Sequence, residues 1–190
     1  MGNTYFTDNI LLNHAIHFAT DRHAGQLRKG TTLPYIIHPL ETMTILASMN
    51  ADTNLLIAGL LHDTLEDTDT TDEELLVQFG EDVYTLVKGH SEDKSQSWEE
   101  RKLRAINELQ KGTLRLKMLV MADKTANLRS MYFDHKLVGD KLWERFNAPK
   151  EKQAWYYSRI QAALQELKDH PGAAHVYREM STLYEQLFEV

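Results

Sequence analysis

A chain of 190 residues suits one domain with a sizeable core. Its net charge of −7 argues against general nucleic-acid binding, and the lack of cysteine excludes disulfides and thiolate metal sites. No apolar run is long enough to span a bilayer, and MGNTYFTDNI has neither a signal-peptide nor a myristoylation pattern.

A soluble cytoplasmic protein is therefore expected. A small phosphorylated ligand remains compatible with the acidic balance, because a local basic patch can sit inside an acidic protein. Ile10, Leu11, His14, Ala15, Phe18 and Ala19 repeat at three and four residues and predict an amphipathic helix, with Asp8 as its cap. RHAGQLRKGTTLPY breaks that pattern with two glycines and a proline and reads as a loop. A helix resumes near His38, with Pro39 early in it, and runs through ETMTILASM. NLLIAGLLH predicts a short helix from Thr53 to His62, buried on most sides. Thr71 and Glu74 have capping-box spacing, and Gly80 ends the helix they open. EDVYTLVKGH is a further short helix, and SEDKSQS a polar loop.

WEERKLRAINELQ predicts a charged amphipathic helix closed at Gly112. From Leu114 a long, largely apolar helix follows, and MYFDHKLVGDKLW is less regular. Pro149 opens a helix over EKQAWYYSRIQAALQELKDH, Pro171 and Gly172 end it, and AAHVYREMSTLYEQLFE makes the last. Strand alternation is absent. The predicted class is all-α, a single globular bundle of more and shorter helices than a four-helix bundle.

Histidine and carboxylates crowd where the Thr53 helix ends, in LLHDTLEDTDT. Glu66 lies four residues after His62 and Asp67 four after Asp63, so each pair is expected to stack on one helical face. Like charges at that spacing cost stability, and a divalent cation would remove the cost. A solvated acidic helix end is the simpler alternative. Two further elements carry matching groups. His38 follows an apolar YII, and Asp123 interrupts LVMADKTANL, where a buried carboxylate needs a partner or a metal. Two imidazoles and two carboxylates would suit Mn²⁺, Fe²⁺, Zn²⁺ or Co²⁺.

This H…HD…D order resembles the HD superfamily of metal-dependent phosphohydrolases. RKGTTLPYIIHP, LLHDTLEDTDTT, FGEDVYTLV and ADKTANLR resemble, in order, the hydrolase domain of RelA/SpoT-type enzymes and the stand-alone small alarmone hydrolases. The likeness runs from about Asn13 to Met131. It implies an HD-domain fold and a Mn²⁺-dependent enzyme that removes the 3′-diphosphate from guanosine tetra- and pentaphosphate. By position it implies His38, His62, Asp63 and Asp123 as metal ligands, and Glu66 and Asp67 as the pair that handles the attacking water. It implies Arg28, Lys29 and Asn127 as substrate contacts.

The residue types fit those roles. A carboxylate beside the ion can take a proton from water, and residue type alone does not rank Glu66 against Asp67. Arg28 offers a planar fork or stacking face, and Lys29 a point charge. His14, His17 and His23 read as surface or packing residues, and Trp155, Tyr156 and Tyr157 as core. Ala126 stands where the family often has histidine, which leaves guanosine against adenosine alarmones open. The alternatives are an HD phosphatase on another nucleotide, such as NADPH or a 5′-nucleotide, a non-catalytic nucleotide-sensing HD module, or a helical scaffold. No membrane or nucleic-acid partner is expected, and oligomeric state stays open.

Overall fold

The computed structural model describes residues 4–188. Met1–Asn3, within the leader reading, and Glu189, the expected end of the last helix, lie outside the described residues. The fold is all-α. Among the described residues no strand forms, and no helix is long and apolar enough to cross a membrane. The helices pack as two units that divide between Ser91 and Glu92.

The first unit holds α1 (Thr4–Arg22), α2 (Ile37–Ser48), α3 (Thr53–Leu61), α4 (Thr64–Asp67) and α5 (Asp72–His90). Asp8 is not a cap. A capping residue needs extended backbone, and α1 already runs through Asp8 from Thr4. The cap of α3 is Asp52, whose carboxylate accepts the Leu55 N–H at 3.0 Å. Leu55, Ile57, Ala58, Leu60 and Leu61 are all buried, and α3 packs against α1, α2 and α5. A helix apolar all round belongs at the centre of its unit. Gly59 lets α2 approach, since a Cβ there would sit 2.5 Å from Leu46 Cδ1 and 3.4 Å from Met43 Cα.

The stacking of His62 over Glu66 assumed one continuous helix, and the chain corrects this. α3 stops at Leu61, Asp63 takes φ −97° and ψ −4°, and α4 is a four-residue turn. Threonines compete for the backbone here. Thr64 Oγ1 donates to Leu61 O at 2.7 Å and Thr68 Oγ1 to Thr64 O at 2.6 Å. The Thr71 box forms by half. Thr71 Oγ1 accepts the Glu74 N–H at 3.2 Å, but the Glu74 carboxylate takes Arg22 and Gln78. Gly80 interrupts α5 as expected, with φ +82° and ψ 169°, a conformation essentially confined to glycine.

The second unit holds α6 (Trp98–Lys111), α7 (Leu114–Val138), α8 (Lys150–Ala163) and α9 (Ala174–Phe188). A complete capping box, Ser97 with Glu100, opens α6. α7 is longer than expected. MYFDHKLV continues it to Val138, and only Gly139–Arg145 turns into 3₁₀ helix. Nothing before Gly139 breaks the helix, and Arg145 reaches back to Asp134 at 2.7 Å. α8 is shorter than expected, ending at Ala163 with a 3₁₀ turn over Gln165–Leu167. Leu164 and Leu167 are both fully buried, and the tighter 3₁₀ turn aligns residues three apart on one side.

Candidate metal centre

Three side chains converge at the C-terminal end of α3 and the start of α2. His62 follows the last turn of α3, and His38 is the second residue of α2. Their Nε2 atoms lie 3.2 Å apart, and both rings are buried. Asp63 Oδ2 lies 3.0 Å from His62 Nε2 and 3.5 Å from His38 Nε2.

The donor chemistry fits a cation. His62 Nδ1 lies 2.9 Å from the carbonyl oxygen of Gly59. A carbonyl only accepts, so Nδ1 carries the hydrogen and Nε2 presents a lone pair. That lone pair faces a second imidazole nitrogen and a carboxylate oxygen. Such acceptors repel one another unless a proton or a metal ion lies among them. His38, His62 and Asp123 are all buried.

Asp123 sits in the middle of α7, between fully buried Ala122 and half-buried Lys124. Its carboxylate is held at both oxygens. Asn127 Nδ2 donates to Oδ1 at 2.6 Å, and Lys124 Nζ to Oδ2 at 2.7 Å. Burial pulls the Lys124 ammonium down, but the negative charge of Asp123 and the Tyr156 and Tyr157 rings outweigh it and hold it well above the usual lysine range. Tyr156 is buried, as expected of a core residue, and burial pushes its phenol up to about 12. Lys102 Nζ lies 4.7 Å from the centre of the same ring and pairs with Glu92 at 2.7 Å. This cluster gave no signal in the sequence, because Glu92, Lys102, Lys124 and Tyr156 come from separate elements.

The acidic turn is less uniform than its sequence. Glu66 is half-buried and Asp67 exposed, and the Asp67 carbonyl accepts from Gln26 Nε2 at 2.7 Å. Arg28 lies on the loop between α1 and α2, with its guanidinium carbon 5.8 Å from the Tyr35 ring centre, and Lys29 is exposed beside it. Tyr35 was missed. Its hydroxyl donates to Asp63 Oδ2 at 2.6 Å, and its place three residues before His38 was the available signal. His23 is a buried packing residue against that tyrosine, at 4.9 Å between ring centres. Ala126 is fully buried, and Arg129 forks onto Glu179 at 2.6 and 2.8 Å.

A buried histidine pair with an adjacent aspartate at the end of a helix is the donor arrangement of the HD class of domains. The HD domain family profile matches residues 15–141, and the chain belongs to that family. It is similar to guanosine-3′,5′-bis(diphosphate) 3′-pyrophosphohydrolase MESH1 of Xenopus tropicalis, 39% identical over 128 residues that cover 66% of this chain and 72% of that protein. The guanosine-3′,5′-bis(diphosphate) 3′-pyrophosphohydrolase of Aquifex aeolicus is 53% identical over 78 residues, 41% of this chain and 11% of that longer protein. A solved structure described as a metazoan ortholog of SpoT that hydrolyzes ppGpp superposes with a TM-score of 0.76 at 27% identity, over 93% of this chain and 94% of that one.

Proposed function

We propose that this protein is a metal-dependent 3′-pyrophosphohydrolase of alarmone nucleotides, acting on (p)ppGpp or (p)ppApp. The observation that carries the reading is the convergence of His38 Nε2, His62 Nε2 and Asp63 Oδ2 in a chain similar to proteins named for this reaction. The profile match over 15–141 supports one working HD domain, since it includes all four proposed ligands.

His38, His62, Asp63 and Asp123 would hold the ion, for which Mn²⁺ suits the mixed nitrogen and oxygen donors. A bound ion of this kind draws charge from phosphoryl oxygens and lowers the pKa of water. Glu66 and Asp67 place a water molecule and take its proton. Half-buried Glu66 ranks first, because it lies nearer the interior than exposed Asp67. The water oxygen bonds to the phosphorus carried on the 3′ oxygen. The bond from that phosphorus to the 3′ oxygen breaks, the 3′ oxygen gains a proton, and pyrophosphate leaves.

Arg28 grips the base or a phosphate and Lys29 adds charge. Asn127 orients Asp123 and contacts the substrate beside it. The nucleotide is the partner and the cytoplasm the site of action. The test is a Mn²⁺-supplemented panel of guanosine and adenosine 3′-diphosphates, with NADPH and 5′-nucleotides as controls. Pyrophosphate release from a 3′-diphosphate is expected. Inactivity on every member of that class overturns the reading.

A further inference from the structure

We propose that Tyr35 is a positioning residue that aims the Asp63 carboxylate at the two histidines. The inference rests on the metal reading above and adds a residue to it.

A carboxylate oxygen has two lone-pair directions. The Tyr35 hydroxyl takes one direction of Asp63 Oδ2 at 2.6 Å, and the same oxygen faces His62 Nε2 at 3.0 Å and His38 Nε2 at 3.5 Å. Removing the hydroxyl takes away one tether on the carboxylate's last torsion, which is a soft one. Tyr35 is itself held. Its ring lies 4.9 Å from the buried His23 ring and 5.9 Å from His38, and its N–H donates to Gln26 O at 2.9 Å. His23 Nδ1 in turn pairs with Gln26 Oε1 at 2.9 Å. The hydroxyl therefore projects from a packed ring on a tied backbone. Partners of this kind, one bond behind a metal ligand, tune metal affinity about 10- to 100-fold.

Tyr35 also lies beside one of the loop's cations, with the Arg28 guanidinium carbon 5.8 Å from its ring centre. One side chain thus touches both the proposed ligand Asp63 and the proposed nucleotide grip.

The experiment compares full-length wild type with Tyr35→Phe, which keeps the ring and its neighbours and removes one hydroxyl. Mn²⁺ affinity is measured by paramagnetic resonance of free ion, beside circular dichroism and steady-state kinetics at varied Mn²⁺. The expected result is a native helical signal, a metal Kd weakened by about tenfold or more, and kcat restored to within about threefold by excess Mn²⁺. KM for the nucleotide should stay near the wild-type value. Loss of activity that excess metal does not restore indicates a merely structural tyrosine and overturns the proposal, as does wild-type Mn²⁺ affinity in the variant. Failure of the wild type itself to bind Mn²⁺ overturns the metal reading, and this proposal with it.

Discussion

At the residue scale, the proposed ligands stand out because each breaks a local rule. A histidine after an apolar run, a charge at the end of a buried helix and an aspartate inside LVMADKTANL all demand a partner. Their supports left less trace, since Tyr35 is marked only by its place three residues before His38. The bond from Tyr35 to Asp63 spans 28 positions and depends on how the loop between α1 and α2 closes. Asp123→Ala should abolish both stoichiometric metal and turnover, measured by metal analysis and pyrophosphate release. Retained activity would contradict its role as a ligand. Glu66→Gln should lower kcat by at least about 100-fold while metal content and KM hold, whereas Asp67→Asn should cost less. A larger loss in Asp67→Asn would reverse their ranking.

Among elements, helix positions followed from periodicity, and the errors fall at ends. Asp8 misled because it is a good cap in sequence but sits inside α1. The break at Asp63 was hidden because it uses neither glycine nor proline, only threonine hydroxyls competing for carbonyls. α8 ends early because buried Leu164 and Leu167 favour a tighter turn, a tertiary cause that no local pattern records. The close approach of α2 to α3 at Gly59 has a measurable consequence. Gly59→Ala puts a methyl 2.5 Å from fully buried Leu46. Overpacking of this kind costs about 1–3 kcal/mol, and each kcal/mol lowers Tm by about 2–4 °C at this chain length. Because His38 rides on α2, Mn²⁺ affinity should fall in parallel. A calorimetric scan with unchanged Tm and affinity would show that the helices do not need glycine there.

For the whole molecule, two conditions set stability. The first is pH. Burial raises the Glu92 carboxyl, but Lys102, Lys124 and Arg101 outweigh it and hold the group below its ordinary 4.5. A depressed carboxylate contributes stability that is fully present above the unfolded value and is lost as pH falls through the folded one. Tm should therefore drop as pH falls below about 4.5, and Glu92→Gln should flatten that acid limb while lowering Tm at neutral pH. An unchanged acid limb would remove Glu92 from the account. The second condition is the proposed ion. At a free metal concentration about 100 times Kd, binding to the folded chain adds about 2.7 kcal/mol. Chelation should then lower Tm by about 5–10 °C, and Mn²⁺ should restore it. A chelator-insensitive Tm would argue against a buried ion.

The loop between α1 and α2 closes on itself before it reaches the proposed metal ligands. Arg28 N–H donates to Leu33 O at 2.8 Å, Tyr35 N–H to Gln26 O at 2.9 Å, and Leu27 bridges Pro34. Its base is stapled by Gln26 to Asp67 and by Tyr35 to Asp63, while its tip, Lys29 to Leu33, is mostly exposed. Such a segment behaves as a replaceable cassette. Substitutions or insertions at the tip can accumulate without disturbing the histidines, so under the proposed function a lineage could retune which base it accepts while keeping the same proposed ligands.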